Sequence, residues 1–213
     1  MSAKCRRLKQ KMATNNDWHF DRKQQRNLKR AKLLKVAAEC FNQKGFSGTS
    51  LKDVAKKLNI TDAALYYYVK NKEELVNLCY VRALDLGQSA LDRAIEEGAT
   101  PLEQLELFIR YQIMGVCGDD GPVAVMSEIP ALAPEHRDYV LNRATEHSKR
   151  ITRLIRSGIK DGTMSSPNPI ASCDAILGAL NWIPKWYKSD SSLSEAQIIE
   201  AFVHTLTQGL RIR

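Results

Sequence analysis

The chain has 213 residues, 44% hydrophobic and 26% charged, with 32 Lys and Arg against 24 Asp and Glu for a net charge of +8. That composition suits a folded globular protein and excludes collagen-like and low-complexity chains. No apolar run approaches the roughly 18 residues of a membrane span, residues 1–25 lack the apolar segment of a secretory signal, and the five cysteines (Cys5, Cys40, Cys79, Cys117, Cys173) have no close pair, which points to reduced thiols in the cytoplasm.

Residues 1–25 carry scattered Lys and Arg without apolar periodicity and are expected to form a flexible basic arm. From Asn27 the spacing of Leu28, Ala31, Leu34, Ala38 and Phe41 predicts a helix that Gly45 caps. Ser50 with Asp53 is a capping box opening a short helix that buries Leu51, Val54, Ala55 and Leu58. Asn59-Ile60-Thr61 breaks it, and Thr61 opens a third helix through about Val69 with Ile60, Leu65 and Val69 inward. Asn71 with Glu74 caps a long helix to about Glu97. Thr100-Pro101-Leu102-Glu103 starts the next, which ends near Cys117. After a Gly118–Gly121 loop, a short helix from Pro122 to Glu128 is expected, then a basic one from Pro134 to Gly162. Two more follow, Pro169–Tyr187 and Ser194–Leu210, the last with an Ile199, Phe202, Val203, Leu206, Leu210 stripe. There is no strand-like alternation. The expected fold is all-α with about nine helices.

Charge divides along the same line: residues 1–72 hold 18 Lys and Arg against 5 Asp and Glu, and residues 73–213 hold 14 against 19. A basic N-terminal third on a mildly acidic body suggests a polyanion-binding module, the alternative being a solubilising tail. Within it, two short helices joined by a tight break over 50–69 have the lengths of a helix-turn-helix, whose second helix enters the major groove. Ala63 and Ala64 are small enough to let that helix approach base edges. Tyr66, Tyr67 and Tyr68 cannot all be buried, and phenols beside Lys70 and Lys72 suit phosphate oxygens. Packing of the tyrosines against neighbouring helices is the structural alternative.

The stretch from Phe46 to Leu75, with its Thr49-Ser50 pair, Asp53-Val54-Ala55, Leu65-Tyr66-Tyr67-Tyr68 and Lys72-Glu73-Glu74-Leu75, closely resembles the DNA-binding domain of the tetracycline-repressor (TetR) family. Val69 departs from the common Phe. The resemblance implies a helix-turn-helix head over 26–72, a ligand-binding and dimerisation body over 73–213, and a homodimeric repressor on a palindromic DNA operator. Carried over by position, it implies that Lys52, Thr61, Asp62, Ala63, Ala64 and Tyr67 face the groove, while Tyr66, Tyr68 and Lys72 hold phosphates. Asp62 either accepts from cytosine N4 or caps its own helix, and the cap is favoured.

The resemblance also implies that the last two helices pair with those of a partner subunit, with a stripe of Cys173, Ile176, Leu177 and Leu180 on the first of them. Pro184 is expected to kink or end that helix. The segment Leu180–Tyr187 followed by Leu193-Ser194 looks like TetR-family regulators of fatty-acid and steroid breakdown, which implies an acyl-coenzyme A effector. Tyr111, Met114, Met126, Tyr139, Trp182 and Trp186 are candidates for its apolar wall. Arg143, with Lys149, Arg150 and Lys185, is a candidate for its phosphates. Rival readings are an efflux regulator responding to a cationic drug, with Glu106 and Glu128 as counter-charges, and a DNA-architecture protein without an effector. The four histidines show no metal spacing, and no nucleophile elbow or phosphate loop occurs, so neither catalysis nor a cofactor is expected.

Overall fold

The computed structural model describes residues 3–118, 132–187 and 192–211, with side chains from Arg22 onward, Lys23 excepted. Among the described residues there are eight helices: α1 (Ala3–Lys44), α2 (Leu51–Leu58), α3 (Asp62–Tyr66), α4 (Lys72–Glu97), α5 (Pro101–Cys117), α6 (Pro134–Lys160), α7 (Pro169–Trp186) and α8 (Glu195–Gln208). The short helix expected over 122–128, and Met126 and Glu128 with it, lie outside the described residues. No described helix is long and apolar enough to cross a membrane. The described cysteines are free thiols, and no three His, Cys, Asp or Glu among the described residues cluster as metal ligands.

Helix α1 begins at Ala3 rather than near Asn27. Its first 23 residues contain no Gly or Pro, so nothing stops helix propagation there even without an apolar stripe. Leu28 is 65% exposed, and the buried face is Leu33, Leu34, Ala37, Ala38, Cys40 and Phe41. Gly45 ends the helix at φ 71°, a conformation glycine adopts without penalty.

The caps fall where the sequence places them. Ser50 and Asp53 exchange bonds at α2, Asn71 accepts from Glu74 N–H at α4, Thr100 from Glu103 N–H at α5, and Ser194 with Gln197 closes a box on α8. Each such cap is worth about 1 kcal/mol. Asn59 ends α2 in the left-handed region at φ 56°, a conformation its short polar side chain tolerates.

Two hydrophobic cores form. One joins α4, α5, α6, α7 and α8 around Leu91, Leu105, Phe108, Ile109, Ile151, Ile155, Ile176 and Leu180. The other joins α1, α2, α3 and the first half of α4 around Phe41, Val54, Leu65, Leu75 and Tyr80. The second core also contains Leu132, just before α6, and Val140, in its first turns. The body therefore plants two apolar side chains inside the head.

Pro184 does not end α7 at once; the helix continues to Trp186 and closes with a bond from Tyr187 N–H to Ile183 O. The stripe expected to face a partner is turned inward instead: Cys173, Ile176 and Leu180 are buried within the chain, and Leu177 packs partly against the same core. On α8, Ile199, Val203 and Leu210 are likewise buried. The exposed face of α7 includes Ala171, Ala175, Gly178 and Trp182, spaced four, three and four apart as one helix face requires, with Asp174 and Asn181 beside them.

Candidate nucleic-acid interface and effector cavity

The head is fixed from its inside. Leu65 and Val69 are buried, which turns the opposite face of α3 to solvent. Thr61, Asp62, Ala63, Tyr66 and Tyr67 are exposed there, Ala64 and Tyr68 are half-buried, and Lys52 is exposed on α2. Ile60, expected inward, is exposed as well, because the turn after Asn59 carries it past the α2 face. The helix is shorter than expected, ending at Tyr66 with Tyr67 as its C-cap.

The cap of α3 is Thr61, whose hydroxyl accepts from Ala64 N–H at 3.2 Å. Asp62 is the first helical residue and not the cap; its carboxylate sits in the first turn, where the helix dipole favours negative charge. Tyr67 is 73% exposed, and Tyr68 meets its ring edge-on at 5.3 Å while packing partly against the head core. Exposed phenols beside alanines leave an open, hydroxyl-tipped surface.

Lys72 has internal partners. Its ammonium donates to Phe46 O at 2.9 Å and stands 4.1 Å above the Phe46 ring, which itself stacks on Phe41 at 6.3 Å. This Phe41–Phe46–Lys72 column ties the end of α1 to the start of α4. Lys57 and Lys44 pair with Glu39 and Asp53. The described residues show no ion pair to Lys52 or Lys70, both of which are exposed.

In the body, the described candidate wall residues are spread over separate surfaces. Tyr111 donates to Glu97 and lies under Arg93, whose guanidinium is 4.0 Å from its ring. The Glu97 bond raises the Tyr111 pKa. Tyr111 and Met114 share a shallow groove between α4 and α5. Tyr139 is exposed on α6, with the Arg143 guanidinium 5.8 Å from its ring. Trp182 is 59% exposed on the outer face of α7, and Trp186 stacks on Phe202 at 6.3 Å. Arg143 is bound to Asp85 at 2.8 Å and Arg150 to Asp92 at 2.5 Å. Lys185 donates to Asn42 O at 3.2 Å, near the end of α1.

A narrow cavity of about 60 Å³ does lie among α4, α5, α6 and α7. Small residues open it: Ala83, Gly87 and Ala144, with Leu84, Leu180 and Pro184 around them. Leu84 and Ala144 belong to the head core, and Leu180 to the body core, so the cavity sits on the seam between the two. Gln112, His147, Ser148 and Asn181 supply its polar groups. Burial pushes the His147 imidazole down to about 4, and the nearby Arg150 acts in the same direction. Of these four only Gln112 gives a sequence signal, as a polar residue between Tyr111 and the apolar Ile113–Cys117.

The asp–arg pairs flank this cavity. Asp85 and Asp92 on α4 lie seven residues apart, as do Arg143 and Arg150 on α6, so the helices run parallel and are pinned on either side of Gly87 and His147. A second, open groove of about 550 Å³ lies between α6 and α7, where Lys149 and Arg153 pair with Glu146, Arg156 and Asp174 complete the charged lining, and Ser148 is shared with the inner cavity.

Comparison with known proteins agrees with both halves. Residues 33–79 match the model of bacterial regulatory proteins of the tetR family, and residues 98–210 match that of the tetracyclin repressor-like C-terminal domain. The chain is 22% identical over 190 residues to the HTH-type transcriptional repressor KstR2 of Mycolicibacterium smegmatis, covering 85% of this chain and 90% of that protein. The structure of the ketosteroid transcriptional regulator KstR2 of Mycobacterium tuberculosis superposes with a TM-score of 0.75 at 21% identity, covering 87% of this chain and 96% of that one. AibR in complex with isovaleryl coenzyme A and operator DNA superposes with a TM-score of 0.67 at 25% identity, over 81% of this chain and 95% of that one. These relatives are regulators and not enzymes. With a matched helix-turn-helix head and a matched C-terminal domain covering more than half of its length, the chain belongs to the TetR family of DNA-binding transcriptional regulators.

Proposed function

We propose that the chain is a homodimeric repressor that grips a palindromic operator with two copies of α3 and releases it when a small apolar or acyl-coenzyme A effector enters the cavity among α4, α5, α6 and α7. The observation that carries this reading is the position of that cavity on the seam between the two cores. Its wall includes Ala83, Leu84 and Gly87 of α4, and the same helix begins at Lys72 beside the recognition helix. An effector that enlarges the cavity moves α4 and with it the spacing of the two recognition helices, which must match about 34–36 Å on the duplex. A full switch asks for roughly 10⁴-fold preference between the two forms.

In this reading residues 26–72 are the operator-binding head and residues 73–213 the effector and dimer body. Residues 1–25 form a basic extension that adds affinity without setting the sequence, and the protein works in the cytoplasm. The outer face of α7 supports dimerisation, since its small residues Ala171, Ala175 and Gly178 and the exposed Trp182 have no cover among the described residues, with Asp174 and Asn181 as polar neighbours. Arg156, which lines the open groove and has no ion pair among the described residues, supports a phosphate-bearing effector; Arg143, Arg150 and Lys185 are engaged within the chain, and Lys149 and Arg153 pair with Glu146. The solved AibR complex with isovaleryl coenzyme A is a precedent in a similar fold. The inner cavity has no carboxylate in its lining, which weighs against a cationic effector.

The test is titration of acyl-coenzyme A thioesters of increasing chain length into the protein–operator complex, followed by fluorescence anisotropy. Release by thioesters but not by free acids or coenzyme A alone is expected, with Arg156→Ala raising the concentration needed. No release by any thioester removes the acyl-coenzyme A effector.

A further inference from the structure

Two polar atoms in the inner cavity are buried without a hydrogen-bond partner among the described residues: Gln112 Oε1 and His147 Nδ1. Both side chains converge on one point of α4. A methyl group on the Cα of Gly87 would stand 3.4 Å from Gln112 Oε1 and 3.5 Å from His147 Nε2. A glycine in mid-helix sacrifices stability, yet here it leaves space beside the unpartnered Gln112 Oε1 and the Nε2 edge of the His147 ring. A buried acceptor without a donor is costly to keep, so this corner is arranged for a group that the chain itself does not supply.

The charge of that group follows from the surroundings. Gly87 and His147 lie between the Asp85–Arg143 and Asp92–Arg150 pairs, each of which is balanced. No ammonium, guanidinium or carboxylate lines the cavity. His147 is itself uncharged at neutral pH, so it offers one N–H donor and one ring-nitrogen acceptor. A carboxylate or ammonium here would be a buried charge without a counter-charge. A ketone or ester carbonyl only accepts, and would leave Gln112 Oε1 unpaired. A hydroxyl both donates and accepts.

We propose that Gln112 and His147, over Gly87, form a subsite for an uncharged hydroxyl group on the buried end of the effector, the hydroxyl donating to Gln112 Oε1 and sharing a second hydrogen bond with the imidazole. The subsite rests on the reading of this cavity as the effector cavity. It selects hydroxylated apolar effectors over their unsubstituted and oxo counterparts, because those leave one or both buried groups unmatched.

The full-length protein, labelled with ¹⁵N at histidine, is titrated with four probes of five heavy atoms each: 2-butanol, 2-butanone, propionate and butylammonium. The ring resonance of His147, assigned by its loss in His147→Gln, reports binding. Expected is a shift with 2-butanol at concentrations about 5- to 150-fold lower than with 2-butanone, the range that one unpaired buried acceptor implies, and none with the two ions. In Gln112→Leu the alcohol and the ketone bind alike, and in Gly87→Ala neither binds. Should either variant fail to fold, the ranking in the unaltered protein still decides. A ketone or ion that binds as well as the alcohol, or no shift with any probe, overturns the subsite. A separate arm compares hydroxyacyl with unsubstituted and oxoacyl thioesters on the operator complex. If no thioester releases DNA, the acyl-coenzyme A effector fails while the probe ranking still judges the subsite.

Discussion

Replacing Lys72 with methionine separates two roles that the sequence leaves superposed. As a phosphate contact, the ammonium would contribute to operator binding through counterion release, and its loss would flatten the slope of log K against log salt by about 0.9 per subunit. The structure assigns it differently: it donates to Phe46 O at 2.9 Å and stands 4.1 Å from the centre of the Phe46 ring. A charge-assisted hydrogen bond contributes about 1.5–3 kcal/mol and a partly exposed cation–π contact about 0.5–1 kcal/mol. Methionine keeps most of the apolar stem, and water reaches part of the Phe46 carbonyl, so a net loss of about 1–2 kcal/mol is expected. For a chain of this size that lowers Tm by roughly 2–8 °C. The assay pairs thermal unfolding with anisotropy on an operator duplex selected from random sequence, over a salt series. Lys72→Met should lower Tm and keep the slope, whereas Lys70→Met, at an exposed position beside the tyrosines, should keep Tm and lose about 0.9 of slope per subunit. A Lys72→Met protein with unchanged Tm and a flattened slope would refute the internal role.

Trp182→Glu puts a charge in the middle of the outer α7 face and should turn the dimer into a monomer by sedimentation velocity, with α-helical content retained. His147 should shape acid stability. Its folded pKa of about 4 lies below the 6.5 of an unperturbed imidazole, so the unfolded state binds the extra proton, and the stability present above pH 6.5 falls as pH drops towards 4, by about 3 kcal/mol at most. Tm measured against pH for the unaltered protein and for His147→Leu should diverge across that window, with the variant losing less. Deleting residues 1–22 should weaken operator binding several-fold and leave the footprint unchanged; loss of all specific binding would make the extension part of the fold.

Features written into three or four consecutive residues were legible from sequence. Ser50 with Asp53, Asn71 with Glu74, Thr100 with Glu103 and Ser194 with Gln197 each satisfy helix-end N–H groups locally, so residue type and spacing suffice to find them. The head followed for the same reason, since its two short helices and their turn are local chemistry. Facing was harder. Helix α7 carries apolar residues around most of its circumference, and periodicity alone cannot say whether Cys173, Ile176 and Leu180 or Ala171, Ala175 and Trp182 turn inward. The partner of Lys72 is an oxygen 26 positions away, beyond the reach of spacing. The cavity was missed for a different reason. Large apolar residues such as Met114, Tyr139 and Trp182 look like lining material, but a cavity exists where side chains are too small to fill space, as at Ala83, Gly87 and Ala144.

The presence of Leu132 and Val140 in the head core bears on how this regulator can be taken apart. A cut after residue 84 would yield a fragment holding every groove-facing side chain, yet with two vacancies where those apolar groups belong. Removing buried groups of that size costs roughly 1–5 kcal/mol each, against a total stability of about 5–15 kcal/mol. A chimera that transplants the head onto a foreign effector domain therefore has to carry residues 132–140 with it, or supply substitutes of the same shape from the new host.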